Sequence, residues 1–574
     1  MYKKYFFNFG LFISIIVSSI ALGYLLSLFG VACSLALYFF MIIICFAMIK
    51  SLNGKKLMLR VAVICYIFSF MTLIGLMLEA KMNLSYKRLG VVALGSVLLG
   101  VVIYFTISFL IELKSTGEKR KVIAFESLPD NIFIIGVYLI IVLSWIPTLL
   151  AFFPGLFSAD VPDQAVQTMG TYSTHHPLIH TLFLQMCLRI GRTIWNTNFG
   201  IFIYELVQMS LMAFIMSLAI SYVRRKGASL YFIIGMILLY GIYPVSATLA
   251  ITTTKDSLFS AFFLAFILLL VELIDYEEHF FSKRKQICLV LSAVLCMLFR
   301  NNAVYVVPFA FIFLFICVPH YKKNVFKLGV ATVLLFIVAS MTLKVTTSAV
   351  DDETKREMLS VPCQQLARVF VLERENLDDS EKDDILKYVP DAEKYNEFIA
   401  DNTKDTENID GDIDGFLRLY ITLLRKYPMR YLEAFLLNIK GYYDLNDTSC
   451  NSITKGVDTI GYLWLYFWEY EGAEHIHLLP RLENWYYEWF CLNKIEDIPV
   501  VNTLFRFGIF TWAILFSHAY IEGADKKKYA PVFWTVELLL LSYLFGPCSY
   551  PRYAFPFIIV SPVIIIMSLS SNKQ

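Results

Sequence analysis

Stretches of about 20 apolar residues recur along this 574-residue chain, each the length of helix that crosses a hydrocarbon core about 30 Å thick. They fall near 7–29, 31–49, 60–79, 89–112, 131–153, 199–223, 228–246, 256–275, 286–300, 302–319, 326–346, 501–520, 529–546 and 553–570. The pattern predicts an all-α polytopic membrane protein with about 14 transmembrane helices. Composition agrees, with 58% of residues apolar and 17% charged, and a formal net charge of +2 gives no footprint for nucleic acid. Cys33, Cys45, Cys65, Cys288, Cys296 and Cys317 lie inside apolar runs, where a thiol behaves as a small hydrophobe. Cys363, Cys450 and Cys491 lie in polar sequence without a spacing that sets a disulfide. The first apolar run lacks a small-residue cleavage site and is expected to be an anchor.

Lysine and arginine in the short loops set an orientation. With Lys3 and Lys4 inside, the inner loops collect Lys50, Lys55, Lys56 and Arg60, then Lys114, Lys119, Arg120 and Lys121, then Arg224, Arg225 and Lys226. Lys283–Lys285, Lys322, Lys323, Lys327 and Lys526–Lys528 continue the phase. It holds only if 178–193, which is short and carries Arg189 and Arg192, stays on the outer surface. That run is expected to be a surface helix with His176 at its N-cap and Pro177 at its first position. The cell membrane is then the expected location, with both termini cytoplasmic. Residues 347–500, about twice as rich in acidic as in basic residues, form an extracytoplasmic, mainly helical module. The expected organisation is a four-helix membrane unit over 1–128 and a membrane core over 129–346, with an outer catalytic loop at 154–198. The module over 347–500 and a three-helix segment over 501–574 complete it.

The loop after the 131–153 run concentrates polar chemistry: FFPGLFSADVPDQAVQTMGTYSTHHPLIH holds Ser158, Asp160, Asp163, Gln164, His175, His176 and His180. Ionisable groups near membrane depth are costly and mark function. Lys255 and Asp256, Arg300 and Asn301, Gln364 and Arg368, and Tyr550, Arg552 and Tyr553 fall at other ends of apolar runs. On the orientation above they all share the outer side, where scattered residues would divide between two faces.

Asp160 and Asp163 suit a general base, or a divalent cation such as Mg or Mn, beside a phosphate-bearing substrate. The bland alternative is a turn with N-capping aspartates. His176 and His180 are four residues apart, but no HExxH pattern or third ligand accompanies them, so substrate contact or capping outranks zinc. Lys255, Arg300, Arg368 and Arg552 suit phosphate, since arginine offers a fork and lysine a point charge. Snorkelling to the interface explains one such cation; four on one face opposite carboxylates favour an anion site. Lys255 and Asp256 are also candidates to pair with each other. The aromatic stretch 461–490 suits sugar stacking or lipid headgroups, and Asn446-Asp447-Thr448 matches a glycosylation sequon.

PGLFSADVPDQ, HHPLIHT, TTTKDSLF, RNNAVYVVP, SVPCQQLARVF and SYPRYAFP together resemble an uncharacterised family of Gram-positive bacterial membrane proteins. That family is itself similar to the C-type glycosyltransferases, polytopic enzymes that use polyprenyl-phosphate sugars. The resemblance implies a GT-C-like core, with Asp160 as the acidic residue of the outer loop and basic groups on the lipid phosphate. Four spans precede the first catalytic one and the soluble module is inserted between spans, unlike the usual pattern. The expected function is transfer of a sugar from a polyprenyl-phosphate donor to a cell-envelope acceptor at the outer face. Asp160, Asp163 and His176 are the expected catalytic residues. Ser158, Gln164, His175, Lys255, Asp256, Arg300, Asn301, Gln364, Arg368, Arg552 and Tyr553 are expected to bind substrate. A flippase or exporter of a lipid-linked glycan is the alternative.

Overall fold

A computed structural model describes residues 16–25, 42, 58–115, 128–158, 160–167, 169, 171–276, 282–350, 355–404, 409, 411–445, 472–491, 494–498, 501–523 and 527–569. Among the described residues the chain is all-α apart from one pair of two-residue strands. Among the described residues seven helices are long and apolar enough to cross a membrane: Leu59–Glu79, Tyr86–Ser108, Asp130–Ala151, Thr197–Arg225, Lys255–Asp275, Lys322–Thr347 and Pro551–Leu569. An eighth arises if Leu230–Ile242 and Pro244–Ala250, bent by 48° at their junction, count as one span. Pro244 causes the break, because proline lacks the N–H a continuing helix needs and drives the preceding residue out of the helical region. Tyr243 accordingly has ψ of 121°.

The expected 14 spans are thus only partly matched among the described residues. Four apolar runs form helices of 17, 15, 16 and 15 residues, at Lys283–Phe299, Ala303–Cys317, Gly508–Gly523 and Ala530–Leu544. The 31–49 run apart from residue 42, the sequon and the start of the aromatic stretch, 461–471, lie outside the described residues.

Contacts divide the chain into two compact units. The first joins Met1–Val122, Leu359–Asp447 and Leu515–Asp525; the second joins Ile123–Met358, Thr448–Ile514 and Lys526–Gln574. The stretch expected as one module over 347–500 therefore divides between them, because a boundary read from polarity marks solvation and not contact. In the first unit, Cys363, Leu366, Phe370, Ile385, Phe416, Leu423 and Tyr431 share one buried cluster. Helix Asp379–Tyr388 starts with a capping box, Asp378 Oδ1 accepting from Glu381 N–H at 2.7 Å and Glu381 Oε2 from Asp378 N–H at 3.1 Å.

In the second unit, α1 (Asp130–Ala151) leads to β1 (Leu156–Phe157) and the short α2 (Val161–Val166). Helices α3 (Leu178–Ile194), α4 (Thr197–Arg225), α5 (Leu230–Ile237) and α6 (Pro244–Ala250) then lead to β2 (Thr252–Thr253). Beyond β2 come α7 (Lys255–Asp275), α8 (Lys283–Phe299), α9 (Ala303–Cys317), α10 (Lys322–Thr347), α11 (Pro480–Tyr486), α12 (Ala530–Leu544) and α13 (Pro551–Leu569). Helix α7 is buried on nearly every face, as expected of a helix apolar all round. Helix α3 buries one stripe, Leu178, Thr181, Leu184, Leu188 and Gly191. At Gly191 a Cβ would lie 2.2 Å from Gly200 Cα, so only glycine lets α3 and α4 approach so closely.

The irregular backbone at the end of α6 is satisfied from α4. The Gln208 side-chain amide donates to the carbonyls of Thr252 at 2.7 Å and Ala250 at 3.1 Å. The first lies in β2 and the second is an orphan carbonyl of a helix end; both are costly to bury without a donor.

Candidate functional site

The strand pair builds the site. β1 and β2 run parallel, Leu156 opposite Thr252 and Phe157 opposite Thr253. Thr253 Oγ1 donates to Leu156 O at 3.0 Å, and Ser158 Oγ reaches Thr253 O at 3.4 Å. Because both chains travel the same way, the residues just beyond the pair emerge together. Asp160 follows β1 and Lys255 follows β2, and Lys255 Nζ lies 2.9 Å from Asp160 Oδ2.

Other element ends close around that pair. Arg552, in the first turn of α13, places Nη1 4.0 Å from Asp160 Oδ2 and Nε 3.7 Å from Asp256 Oδ2. Arg300, the C-cap residue of α8, forms an ion pair with Asp256. Its guanidinium lies over the rings of Tyr553 and Tyr543, 4.5 and 4.9 Å from their centroids, a cation–π arrangement that fixes the cation while leaving donors available. Among the described residues Arg300 Nε is buried without a hydrogen-bond partner. With His176 neutral, two carboxylates meet three cations, a surplus of one positive charge.

His176, 7% exposed, completes the ring, its Nδ1 3.0 Å from Lys255 Nζ and 3.9 Å from Asp160 Oδ2. Lysine has only protons to offer, so Nδ1 accepts and the imidazole is the neutral Nε2–H tautomer. Burial and the nearby Lys255 charge push the imidazole down to about 3. Burial acts to raise the Asp160 carboxyl, but the Lys255 and Arg552 charges outweigh it and hold it well below the usual carboxylate range. Asp160 is thus ionised and screened by cations, with its side chain 23% exposed.

Asp160 stands at the N-cap of α2 without a side-chain capping bond, so its carboxylate is turned to the cations. Gln164 locks the turn from behind: its Nε2 donates to Asp160 O at 3.1 Å, and its Oε1 lies 2.6 Å from His180 Nδ1. His180 Nε2 is in turn 2.9 Å from the Tyr204 hydroxyl. Burial and the Lys255 charge push His180 too down to about 3.

Residues 167–574 match a family described as being of unknown function, DUF6020. The chain belongs to that family. No curated protein and no solved structure matches it. The DUF6020 match takes in His176, Lys255, Asp256, Arg300 and Arg552 and begins just after Asp160.

The structure brings together Asp160, His176, Lys255, Asp256, Arg300, Arg552 and Tyr553, all expected at the site, and corrects several others. Lys255 and Asp256 do not pair with each other: adjacent positions on a helix point apart, so Lys255 meets Asp160 and Asp256 meets Arg300. Asp163 is exposed in the first turn of α2 and, among the described residues, makes no ion pair with the cluster. Asp160, by contrast, lies beside Lys255 and Arg552. Ser158 and Gln164 are buried and serve the strand pair and the turn. His175 and Asn301 are exposed, with the His175 ring edge-on to His176. His176 is not the N-cap of α3, since the Pro177 carbonyl takes the first helical bonds, from His180 N–H at 3.0 Å and Thr181 N–H at 3.2 Å.

Gln364 and Arg368 belong to the first unit and are engaged there. Gln364 Nε2 donates to Asn396 O at 2.8 Å, and Arg368 pairs with Glu433 at 2.9 Å. Sequence reasoning missed Tyr543 beneath Arg300, and Glu205 and Gln208, each fully buried in α4. A glutamate and a glutamine inside a hydrocarbon-length run were the available signal.

Proposed function

We infer that the chain is a membrane transferase that moves a sugar from a polyprenyl-phosphate donor to a cell-envelope acceptor. The observation that carries this reading is the ion cluster itself: a partly exposed carboxylate beside Lys255 and Arg552, in a set of three cations and two carboxylates at the ends of apolar helices. Phosphate at the surface end of a lipid tail fits the cations, and N-termini of α7 and α13 add to the attraction for an anion. Lys255 and Arg552 are held by Asp160 until a phosphate competes for them. Once it does, Asp160 loses the partners that depress its basicity and takes the proton from an acceptor hydroxyl. That oxygen attacks the anomeric carbon, the bond from that carbon to the phosphate oxygen breaks, and polyprenyl phosphate leaves with its charge held by Lys255, Arg300 and Arg552. The neutral His176 orients sugar or acceptor.

The likeness to C-type glycosyltransferases, the outer-face position, about 14 spans and cytoplasmic termini belong to this reading, and the alternation of Lys- and Arg-rich loops supports it. A flippase of the same lipid class is the second reading. Glu205, fully buried in α4, and the broken helix at Tyr243-Pro244 favour it, since transporters place ionisable groups and interrupted helices within the bilayer. Proteoliposomes holding the full chain, a panel of radiolabelled polyprenyl-phosphate sugars and an acceptor pool separate the two. Transfer of label to acceptor supports the transferase; movement of intact lipid between leaflets without transfer supports the flippase.

A further inference from the structure

Away from the ion cluster, the second unit gathers a different set of side chains. His475 Nε2 lies 3.1 Å from Glu483 Oε1, and His477 Nδ1 lies 2.5 Å from Glu483 Oε2. One donor atom from each residue fits within 4.8 Å of the others. We propose that His475, His477 and Glu483 form a zinc-binding site.

The backbone explains why these three meet. Ile476 N–H donates to Phe153 O at 3.0 Å in an isolated antiparallel bridge. In extended chain, residues on either side of such a bridge project the same way, so the His475 and His477 rings stand 4.5 Å apart. Glu474 is clamped to Asn198, whose amide donates to Glu474 O at 2.7 Å and whose Oδ1 accepts from Glu474 N–H at 2.9 Å. Glu483 comes from the start of α11, and the Tyr486 ring packs on Phe152 at 5.5 Å. The donor set is held by the fold and not by the side chains alone.

Chemistry selects the ion. Two imidazoles and one carboxylate make a three-ligand zinc set that leaves a fourth position for water, whereas magnesium and calcium favour all-oxygen shells. The burial is graded as such a site requires: the His475 side chain is fully covered, that of Glu483 is 9% exposed and that of His477 is 53% exposed. A carboxylate that merely accepts two hydrogen bonds explains the distances equally well, and metal content separates the two. Bound zinc would tie the bridged His475–His477 segment to α11, and the proposal stands independently of the transferase reading.

The test uses the full chain in lipid nanodiscs, loaded with zinc, freed of excess by a weak chelator and assayed for metal, with cobalt(II) as a spectroscopic probe. Wild type should retain about one zinc per chain and give the intense visible absorption of four-coordinate cobalt. His477→Gln, at a half-exposed position that does not threaten folding, and Glu483→Gln should lose both signals. His176→Gln should keep them. No retained zinc in wild type, or equal retention in wild type and His477→Gln, would overturn the proposal.

Discussion

Glu433 in the first unit accepts from Arg368 Nε and Nη2 at 3.1 and 2.9 Å, from Arg430 Nη1 at 3.0 Å, and from Leu84 N–H at 2.6 Å. Glu373 takes Arg430 Nε at 2.7 Å, so two arginines face two glutamates and the charge closes. Asp160 in the second unit has one close partner, Lys255, while Arg552 and His176 stand about an ångström too far for hydrogen bonds. Its cluster has three cations for two carboxylates and a buried Arg300 Nε without a partner. A buried charge network built only for stability satisfies its donors, since each orphan costs about 1–3 kcal/mol. The Glu433 network does so. Among the described residues the Asp160 network keeps one unmet donor, Arg300 Nε, and three cations for two carboxylates, the condition expected where an anion is to arrive.

The largest expected effect tests the closed network. Arg368→Ala leaves Glu433 buried with half its compensation and should destabilise the first unit by about 3–5 kcal/mol, read from chemical unfolding in detergent. Arg552→Ala should cost clearly less, because its carboxylate contacts are long; equal losses would erase the contrast. Arg300→Gln should weaken binding of a polyprenyl phosphate by about 10- to 100-fold, the scale of one or two charge-assisted hydrogen bonds, over and above the stability lost with its Asp256 partner. Loss of folding with no separate loss of binding would assign Arg300 to the scaffold.

Acid stability tests the buried imidazoles of the second unit. His176 and His180 titrate near 3 when folded and at roughly 6.5 when unfolded. Between those values the unfolded chain binds more protons, so stability rises with pH and is lost as pH falls from about 6.5 toward 3. Asp160 adds to the loss only lower down, as pH falls below the ordinary carboxylate range through its depressed folded value. Melting temperature across pH should show the upper part of this slope flattened in His176→Gln. An unchanged slope would place the titration elsewhere.

Charges at the ends of apolar runs were legible in the sequence, which is why Asp160, His176, Lys255, Arg300 and Arg552 stood out. What brings them together is a parallel pair of two-residue strands, too short for any periodicity to reveal. Asp163 looked equivalent to Asp160 because both lie in one polar turn, yet one residue faces the cations and the other solvent. Arg368 looked equivalent to Arg552 because both lie near apolar sequence, but its partner Glu433 is 65 residues away. Glu205 and Gln208 were hidden by the hydrophobicity around them. His475 and His477 drew no notice within an aromatic stretch, because it takes the bridge to Phe153 to set their rings side by side.

Asp160→Asn, assayed for both transfer and binding, tests the central claim most directly. The substitution removes the base and also removes the anion that competes with phosphate for Lys255 and Arg552. Transfer from a polyprenyl-phosphate sugar should fall by about 10²- to 10⁴-fold, the usual range for a lost general base, while affinity for polyprenyl phosphate holds or tightens. Equal turnover by wild type and Asp160→Asn would contradict the account.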